Sequence, residues 1–171
     1  MLIVCAAAAG EALGCICELE PNITPEKIRA DRAKALQEAA AVFSGEVLML
    51  DRFTVRFRVE NIWKGPLAEE ISMLTGAKDN GDGTFTSSSC DYGFTKGVRY
   101  LVYAYGPLSE LKTHACSRTT PMKYAANEEQ GLDEITPHRT VGKEPDGVES
   151  FSVRRNLTNA WSGLAVSGPL Y

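Results

Sequence analysis

The chain has 171 residues, of which 44% are apolar and 23% are charged, so it is long enough for one domain with a sizeable core and has the composition of an ordinary soluble globular protein. Its net charge of -4 argues against a nucleic-acid-binding surface, which would need a basic stripe. No apolar run reaches the roughly 18 residues of a membrane span, so no transmembrane helix is predicted in the mature chain.

Residues 1–14 are predicted to be a signal peptide. The run 2–9 is short and apolar, and Ala12 and Gly14 supply the small residues that a signal peptidase accepts just before its cut. No lysine or arginine precedes the run, and the alternative is a buried N-terminal strand or helix. If the chain is cleaved after Gly14, Cys15 becomes the first residue of a secreted protein, extracellular or periplasmic.

Four cysteines remain once Cys5 is removed with the leader, an even number, as a disulfide framework requires: Cys15, Cys17, Cys90 and Cys116. A bond between Cys15 and Cys17 is disfavoured, because residues two apart in an extended chain point to the same face with parallel Cβ vectors. Each of the two is therefore expected to bond to one of Cys90 and Cys116, and both pairings remain open. A zinc site is less favoured, because C-x-C with two distant single cysteines lacks the paired C-x2-C spacing, and no metal site of its own is predicted.

The first predicted element after the cysteines is a surface helix over 25–41, with Thr24 as its N-cap and Pro25 as its first residue. β structure then begins over 42–48, where Gly45 indicates a bulge or a bend. The sequence therefore predicts that a helix leads directly into a bent strand.

The clearest predicted strand covers 53–59. Four apolar side chains alternate strictly with polar ones and are expected to be buried: Phe53, Val55, Phe57 and Val59. On the opposite face, Arg56 and Arg58 are expected to be exposed. The strand continues to Trp63 and is broken by K-G-P at 64–66.

Further strands are predicted over 71–75, 98–105 and 111–116, and a second helix over 123–135. The polar loop 76–89 contains D-N-G-D-G, which faintly resembles a calcium loop, but the bidentate glutamate and the flanking helices of an EF-hand are absent. A tight turn at a hairpin tip is therefore favoured.

Residues 136–171 are rich in Gly, Pro, Ser and charge and are predicted to be a C-terminal tail that is poorly ordered or docks on the domain. His114 and His138 are the only histidines, and neither has a partner at metal or catalytic spacing. No nucleophile–histidine–acid set or phosphate-binding loop is present in the sequence, so we expect neither enzymatic activity nor a cofactor.

The predicted elements describe a mainly β domain, a small closed five- to six-stranded barrel of the OB type with flanking helices. The order of landmarks is more specific: C-x-C, a helix, A-V-F-S-G-E-V, V-x-F-x-V-E-x-I-W-K-G, S-C-D-Y-G-F-T-K-G-V-R-Y-L-V-Y-A and A-C-S-R-T-x-P. Over residues 15–135 this string resembles the netrin-like domain of the tissue inhibitor of metalloproteinases family, in a compact single-domain form.

The resemblance implies a secreted, monomeric inhibitor of zinc metalloendopeptidases. It implies that Cys15 pairs with Cys90 and Cys17 with Cys116. It also implies that the amine and carbonyl of Cys15 chelate the zinc ion of the protease, while the Ile16 side chain enters the substrate pocket of that enzyme. The chain lacks the third disulfide and the second cysteine-rich domain of the animal inhibitors, and E-L-E stands where they have H-P-x after C-x-C.

The alternative function is a non-inhibitory OB-fold module, extracellular or lipid-anchored, that binds another protein. The sequence A-L-G-C that ends at Cys15 also resembles a lipobox, with two residues transposed. A lipidated Cys15 could neither bridge nor chelate zinc, and Cys90 would be left unpaired. For that reason simple secretion is favoured over anchoring.

Overall fold

The computed structural model describes Gly14, Cys15, Cys17 and residues 23–142. The fold of this part is mainly β, an antiparallel sheet of several strands with two helices. In chain order the elements are α1 (Pro25–Glu38), β1 (Ala41–Leu50), β2 (Thr54–Lys64), β3 (Glu70–Leu74), β4 (Lys78–Asp79), β5 (Phe85–Thr86), β6 (Arg99–Ala104), β7 (Thr120–Pro121), a 3-10 turn (Met122–Tyr124), α2 (Ala126–Asp133) and β8 (Arg139–Thr140). The predicted signal peptide, apart from Gly14, and the stretch 143–171 of the predicted tail lie outside the described residues.

Helix α1 begins where the sequence predicts and ends earlier. The Thr24 side chain accepts a 3.2 Å hydrogen bond from the Lys27 amide, as an N-cap does. The predicted end at residue 41 is wrong, because Ala39 already has an extended backbone and the Ala40 amide donates to the Ala104 carbonyl of β6. Of the three alanines that favour helix by propensity, Ala39 caps α1, Ala40 bonds to β6 and Ala41 begins β1, so tertiary pairing ends the helix.

Strand β1 is the centre of the sheet, since it pairs antiparallel with both β2 and β6. The bulge or bend predicted at Gly45 is confirmed by a register shift between Ser44 and Gly45. A Cβ added at Gly45 would lie 2.5 Å from the Arg58 carbonyl oxygen, so only glycine fits this close approach. Residues on both sides of Gly45 pack in one apolar cluster, among them Phe43 and Val47.

The sheet has the strand order β3–β2–β1–β6–β7, with β8 paired to β2, and it is not closed into the predicted barrel. The predicted last strand over 111–116 is also wrong. Within it, Lys112 makes isolated bridges to Leu74 and Tyr105 in place of a ladder. The segment turns back at once, because the Ser117 amide donates to the His114 carbonyl over 2.9 Å, so a closing strand has no length in which to develop.

Two apolar clusters lie on opposite faces of β1 and β6. The inner core has Phe43, Phe57, Ile62 and Val102 among its fully buried members. The helix-side core lies under the two helices and contains Leu36, Val42, Trp63, Leu101, Tyr103, Ala125 and Leu132. Because both faces of β1 are covered, residues 41–45 are buried without interruption, which explains why this strand shows no alternation in the sequence.

The alternation in β2 is confirmed in its middle and fails at its start. Val55, Phe57 and Val59 are buried. Phe53 is only half-buried, because it precedes β2 in a turn where its amide donates to the Asp51 carboxylate. Arg58 is exposed as predicted.

Arg56 is half-buried, contrary to the prediction that it is exposed. Its guanidinium Nε lies 3.5 Å from a carboxylate oxygen of Glu70 on β3. The aliphatic stem of arginine covers neighbouring surface while its head stays at the edge of the protein, which lowers the exposure of the whole side chain.

The loop 76–89 carries the small hairpin formed by β4 and β5, which confirms the turn at its tip. The Asp79 carboxylate accepts from the Gly81 amide, and the Asp82 carboxylate accepts from the Thr84 amide. Both carboxylates are therefore used as turn acceptors. The guanidinium of Arg52 lies 4.4 Å from the Phe85 ring centre and holds the hairpin against the β1–β2 turn.

The predicted second helix is divided into the 3-10 turn and α2 by Ala125, which is fully buried in the helix-side core. After α2, Arg139 and Thr140 pair with Ile62 and Asn61 of β2. The first residues of the predicted tail thus dock on the domain, in agreement with the second of the two alternatives for that segment.

The half-buried carboxylate of Glu128 joins α1, α2 and β6. The Arg32 Nε of α1 lies 3.2 Å from Glu128 of α2, as an ion pair without the alignment of a hydrogen bond, and Arg118 donates to the same carboxylate at 3.0 Å. The Tyr103 hydroxyl of β6 also donates to Glu128 over 2.8 Å. Burial and the adjacent Glu128 charge raise the pKa of Tyr103, so its hydroxyl remains a donor. The amphipathic pattern of α1 gave no indication of a buried arginine.

Val55→Ala should lower the free energy of unfolding by about 1–3 kcal/mol, because it removes two buried methyl groups and leaves a cavity in the inner core. The matched control is Arg58→Ala on the same strand, whose exposed pairing with Glu46 should contribute less than about 0.5 kcal/mol. Urea titration of both variants measures the two values. Equal losses of unfolding free energy in the two variants would contradict the assignment of Val55 to the buried face of β2.

Candidate functional site

The N-terminal segment is held by two disulfides, one from Cys15 to Cys90 and one from Cys17 to Cys116. The Cα atoms are 5.0 Å apart in the first pair and 5.2 Å in the second, within the usual range for a disulfide. The bridges span 75 and 99 residues of sequence. We call these four residues the cysteine clamp.

Backbone pairing brings the two downstream partners of the clamp side by side. Asp91 and His114 form an antiparallel bridge, and the Ala115 amide donates to the Cys90 carbonyl over 2.8 Å. Cys90 and Cys116 therefore lie on adjacent segments that are joined by backbone hydrogen bonding as well as by the clamp. The sequence separation of 26 residues between them gives no hint of this proximity.

The turn 88–91 is tightly hydrogen-bonded and presents a hydroxyl to Cys15. The Asp91 carboxylate accepts from the Ser88 amide at 2.7 Å, and the Ser88 hydroxyl accepts from the Cys90 amide at 3.1 Å. Such side-chain-to-backbone bonds fix the path of a turn. The Ser89 hydroxyl then accepts a 3.1 Å hydrogen bond from the Cys15 backbone nitrogen.

Ser89 is the site residue that sequence reasoning missed. It lies 74 positions from Cys15, and a run of three serines looks like ordinary loop composition. Its position in the sequence could have indicated the contact, because Ser89 immediately precedes Cys90. The family resemblance implies that Cys90 is bonded to Cys15. A hydroxyl at this point can accept from the Cys15 nitrogen, whether that nitrogen is an amide or a free amine.

Ile16, the predicted pocket-binding residue, lies outside the described residues. Its two neighbours frame its position, since Cys15 is half-buried and Cys17 is exposed. The clamp therefore fixes the residues on both sides of position 16 covalently to the domain.

A cleft of about 600 Å³ adjoins the clamp at Cys90. One wall comes from Leu74 and Gly76 at the end of β3, and the other from Tyr105, Lys112 and His114. The His114 ring lies 5.5 Å from the Tyr105 ring at a tilt of 34°.

Gly76 is required where the cleft meets the turn 88–91. Its φ of 98° is in the left-handed region, and an added Cβ would overlap the Asp91 carboxylate. Because the Asp91 carboxylate also holds the Ser88 amide, a bulkier residue at 76 would displace the turn that presents Ser89.

Among the described residues, no group of three or more His, Cys, Asp or Glu side chains is placed to hold a metal ion. In the same part of the chain, no helix is both long enough and apolar enough to cross a bilayer.

The chain matches no protein-family model and no curated protein. Its function must therefore be inferred from the site itself.

A second polar site joins the end of α2 to β8. The Asp133 carboxylate accepts from the Trp63 indole at 2.7 Å and lies 2.8 Å from His138 Nδ1. The chain turns back between residues 133 and 138 and brings the two side chains together. The pair of Asp133 and His138 fixes the start of β8 against the sheet.

Burial, hydrogen bonds and neighbouring charges shift the pKa of two carboxyl groups at this site. Burial acts to raise the pKa of Asp133, but hydrogen bonds from His138 and Trp63 outweigh it and leave that pKa below its ordinary value. Burial and the Asp133 charge raise the pKa of the neighbouring Glu129, while Arg99 acts in the opposite direction.

Asp133→Asn should therefore destabilise the domain at about pH 7 and progressively less at lower pH. A carboxyl whose folded-state pKa is depressed contributes stability that is present above its unfolded pKa and is lost as the pH falls through its folded pKa. Since 40% of the Asp133 side chain is exposed, the cost at neutral pH should not exceed about 1 kcal/mol.

The measurement is a series of urea titrations between about pH 7 and about pH 2. The control is Asp31→Asn, an exposed carboxylate on α1 that should change the free energy of unfolding by less than about 0.5 kcal/mol. A cost for Asp133→Asn that grows as the pH falls would contradict the sign of the pKa change.

Proposed function

We propose that residues 15–135 form a netrin-like domain of the OB type and that the mature protein is a secreted inhibitor of zinc metalloendopeptidases. The observation that carries the proposal is the attachment of Cys15 and Cys17 by two disulfides to adjacent turns, with the Cys15 nitrogen directed at Ser89. The bridges of Lys112 to both Leu74 and Tyr105 support the relation to an OB-type barrel.

The proposed inhibitory group is the α-amine of Cys15 together with its carbonyl oxygen. Catalytic zinc in endopeptidases keeps one coordination position open for water or substrate and can expand to five ligands, so the amine would take the open position and the carbonyl oxygen the fifth, as a chelate. The amine must be neutral to donate its lone pair, and a free α-amine has a pKa of about 7.7–8.0. The clamp lowers the entropic cost of binding, because it fixes the chelating residue before it meets the protease.

The alternative of a lipid-anchored module is less well supported. A thioether-linked Cys15 could not bond to Cys90, whereas the two Cα atoms are placed 5.0 Å apart, within disulfide range. A non-inhibitory module that is secreted and binds another protein remains the second candidate, and the open cleft beside Cys90 is the observation that favours it.

Adding one alanine before Cys15 should abolish inhibition without lowering the thermal stability. The extension turns the amine into an amide, a very poor zinc ligand, while both disulfides and the sheet are retained. Ile16→Gly should weaken binding by a smaller amount, about 1.5–3 kcal/mol, because the chelate is kept and one buried apolar contact is lost.

The assay measures a panel of zinc endopeptidases against the mature chain, the extended chain and Ile16→Gly, with melting curves for all three. If the extended chain inhibits as well as the mature chain, N-terminal chelation is not the mechanism. If the correctly cleaved mature chain inhibits no member of the panel, the non-inhibitory module becomes the better explanation.

Ser89→Ala should weaken inhibition by about 1 kcal/mol, because the hydroxyl no longer orients the Cys15 nitrogen. Its melting temperature should stay unchanged, since Ser89 is exposed. Ser72→Ala on the exposed face of β3 is the matched control and should change neither value. An inhibition constant for Ser89→Ala equal to that of the control would show that Ser89 does not position the amine.

A further inference from the structure

The two disulfides of the cysteine clamp touch each other. The Cys15 sulfur, which is bonded to Cys90, lies 3.8 Å from the Cys116 sulfur, which is bonded to Cys17. Thiol–disulfide exchange begins with a thiolate in contact with one sulfur of a disulfide. Opening the bond between Cys17 and Cys116 would leave the Cys116 thiol at this distance from the Cys15 sulfur.

The two bridges differ in their access to solvent. Cys17 and Cys116 are both exposed, whereas Cys15 and Cys90 are half-buried. We call the bond from Cys15 to Cys90 the inner bridge and the bond from Cys17 to Cys116 the outer bridge. The inner bridge is also flanked by hydrogen bonds, from the Cys15 nitrogen to Ser89 and from the Ala115 amide to the Cys90 carbonyl. A soluble reductant therefore reaches the bridge from Cys17 to Cys116 first.

We propose that the clamp is a redox relay in which reduction of the bond between Cys17 and Cys116 lets Cys116 replace Cys90 as the disulfide partner of Cys15. In the first step a soluble dithiol gives two electrons to the outer bridge. That bond breaks to leave the thiols of Cys17 and Cys116, and the dithiol becomes a disulfide.

In the second step the Cys116 thiolate attacks the Cys15 sulfur. A bond forms between Cys15 and Cys116 as the bond between Cys15 and Cys90 breaks, and the Cys90 sulfur leaves as a thiolate that takes a proton from water. This step transfers no net electrons, because one disulfide replaces another.

The exchange moves the attachment of the first mature residue from the turn 88–91 to the segment at Cys116. Cys15 then leaves the hydroxyl of Ser89, which accepts from its nitrogen in the oxidised protein. The N-terminus stays covalently tethered in a different position. The effect of this change on protease inhibition rests on the proposed function, whereas the exchange itself rests on the sulfur geometry alone.

The first test treats the oxidised mature chain with less than one equivalent of dithiothreitol, blocks thiols with N-ethylmaleimide and maps the peptides. The species with a single bridge should join Cys15 to Cys116 and carry the label on Cys17 and Cys90. The relay is wrong if that species instead keeps Cys15 bonded to Cys90 throughout the reduction, with the label on Cys17 and Cys116. It is equally wrong if the outer bridge is the last to be reduced.

The second test creates the same thiol without a reductant. Cys17→Ser should contain two isomers, with Cys15 bonded to Cys90 or to Cys116, and their exchange rate should rise about tenfold per pH unit below the ordinary thiol pKa of about 8.5. Cys116→Ser is the matched control, since it removes the same bridge but leaves the thiol on Cys17, and it should keep Cys15 bonded to Cys90. A single isomer of Cys17→Ser at every pH would overturn the relay.

The two proposals fail separately in these experiments. Peptide mapping uses no protease, so exchange in a chain that inhibits nothing would leave the relay standing and remove the proposed function. Inhibition by a chain that shows no exchange would do the reverse. If Cys17→Ser does not fold, the experiment with limiting dithiol on the wild-type chain decides the question.

Discussion

The covalent attachment of residues 15 and 17 to residues 90 and 116 is the constraint on which the proposed site depends. Chain termini usually fray, because few contacts repay the entropy of ordering them. Here two disulfides close sequence separations of 75 and 99 residues, and such bonds act largely by restricting the unfolded chain. Cys15, which is half-buried, and Cys17, which is exposed, are thereby fixed covalently to the body of the domain.

The sheet places the two segments to which Cys15 and Cys17 are bonded. β1 is covered on both faces, so the inner core and the helix-side core share one strand. β6 lies beside it, and the segment that follows β6 returns past Tyr105 and Lys112 to meet the turn 88–91. The cysteine partners are thus positioned by packing far from the surface where they bond.

Sequence reasoning succeeded where local chemistry decides the structure and failed where distant contacts do. The alternation at Val55, Phe57 and Val59 and the N-cap at Thr24 are local, and both are confirmed. Arg32 is buried only because Glu128 arrives from α2, almost a hundred residues later. Strand propensity over 111–116 could not reveal that the chain turns back at once, and the loop composition around Ser89 could not reveal its contact with Cys15.

The long separations within the clamp have a consequence for biosynthesis. In a chain exported N-terminus first, as the proposed function requires, Cys15 and Cys17 would leave the translocation channel well before Cys90 and Cys116 follow. In that interval each can react only with the other or with a different molecule, so mixed disulfides and dimers are the first oxidation products open to the chain. Correct maturation then needs reshuffling after the sheet has formed, on the seconds-to-hours timescale of thiol exchange. Yield in a heterologous host should accordingly follow the supply of disulfide isomerase more closely than the supply of oxidant.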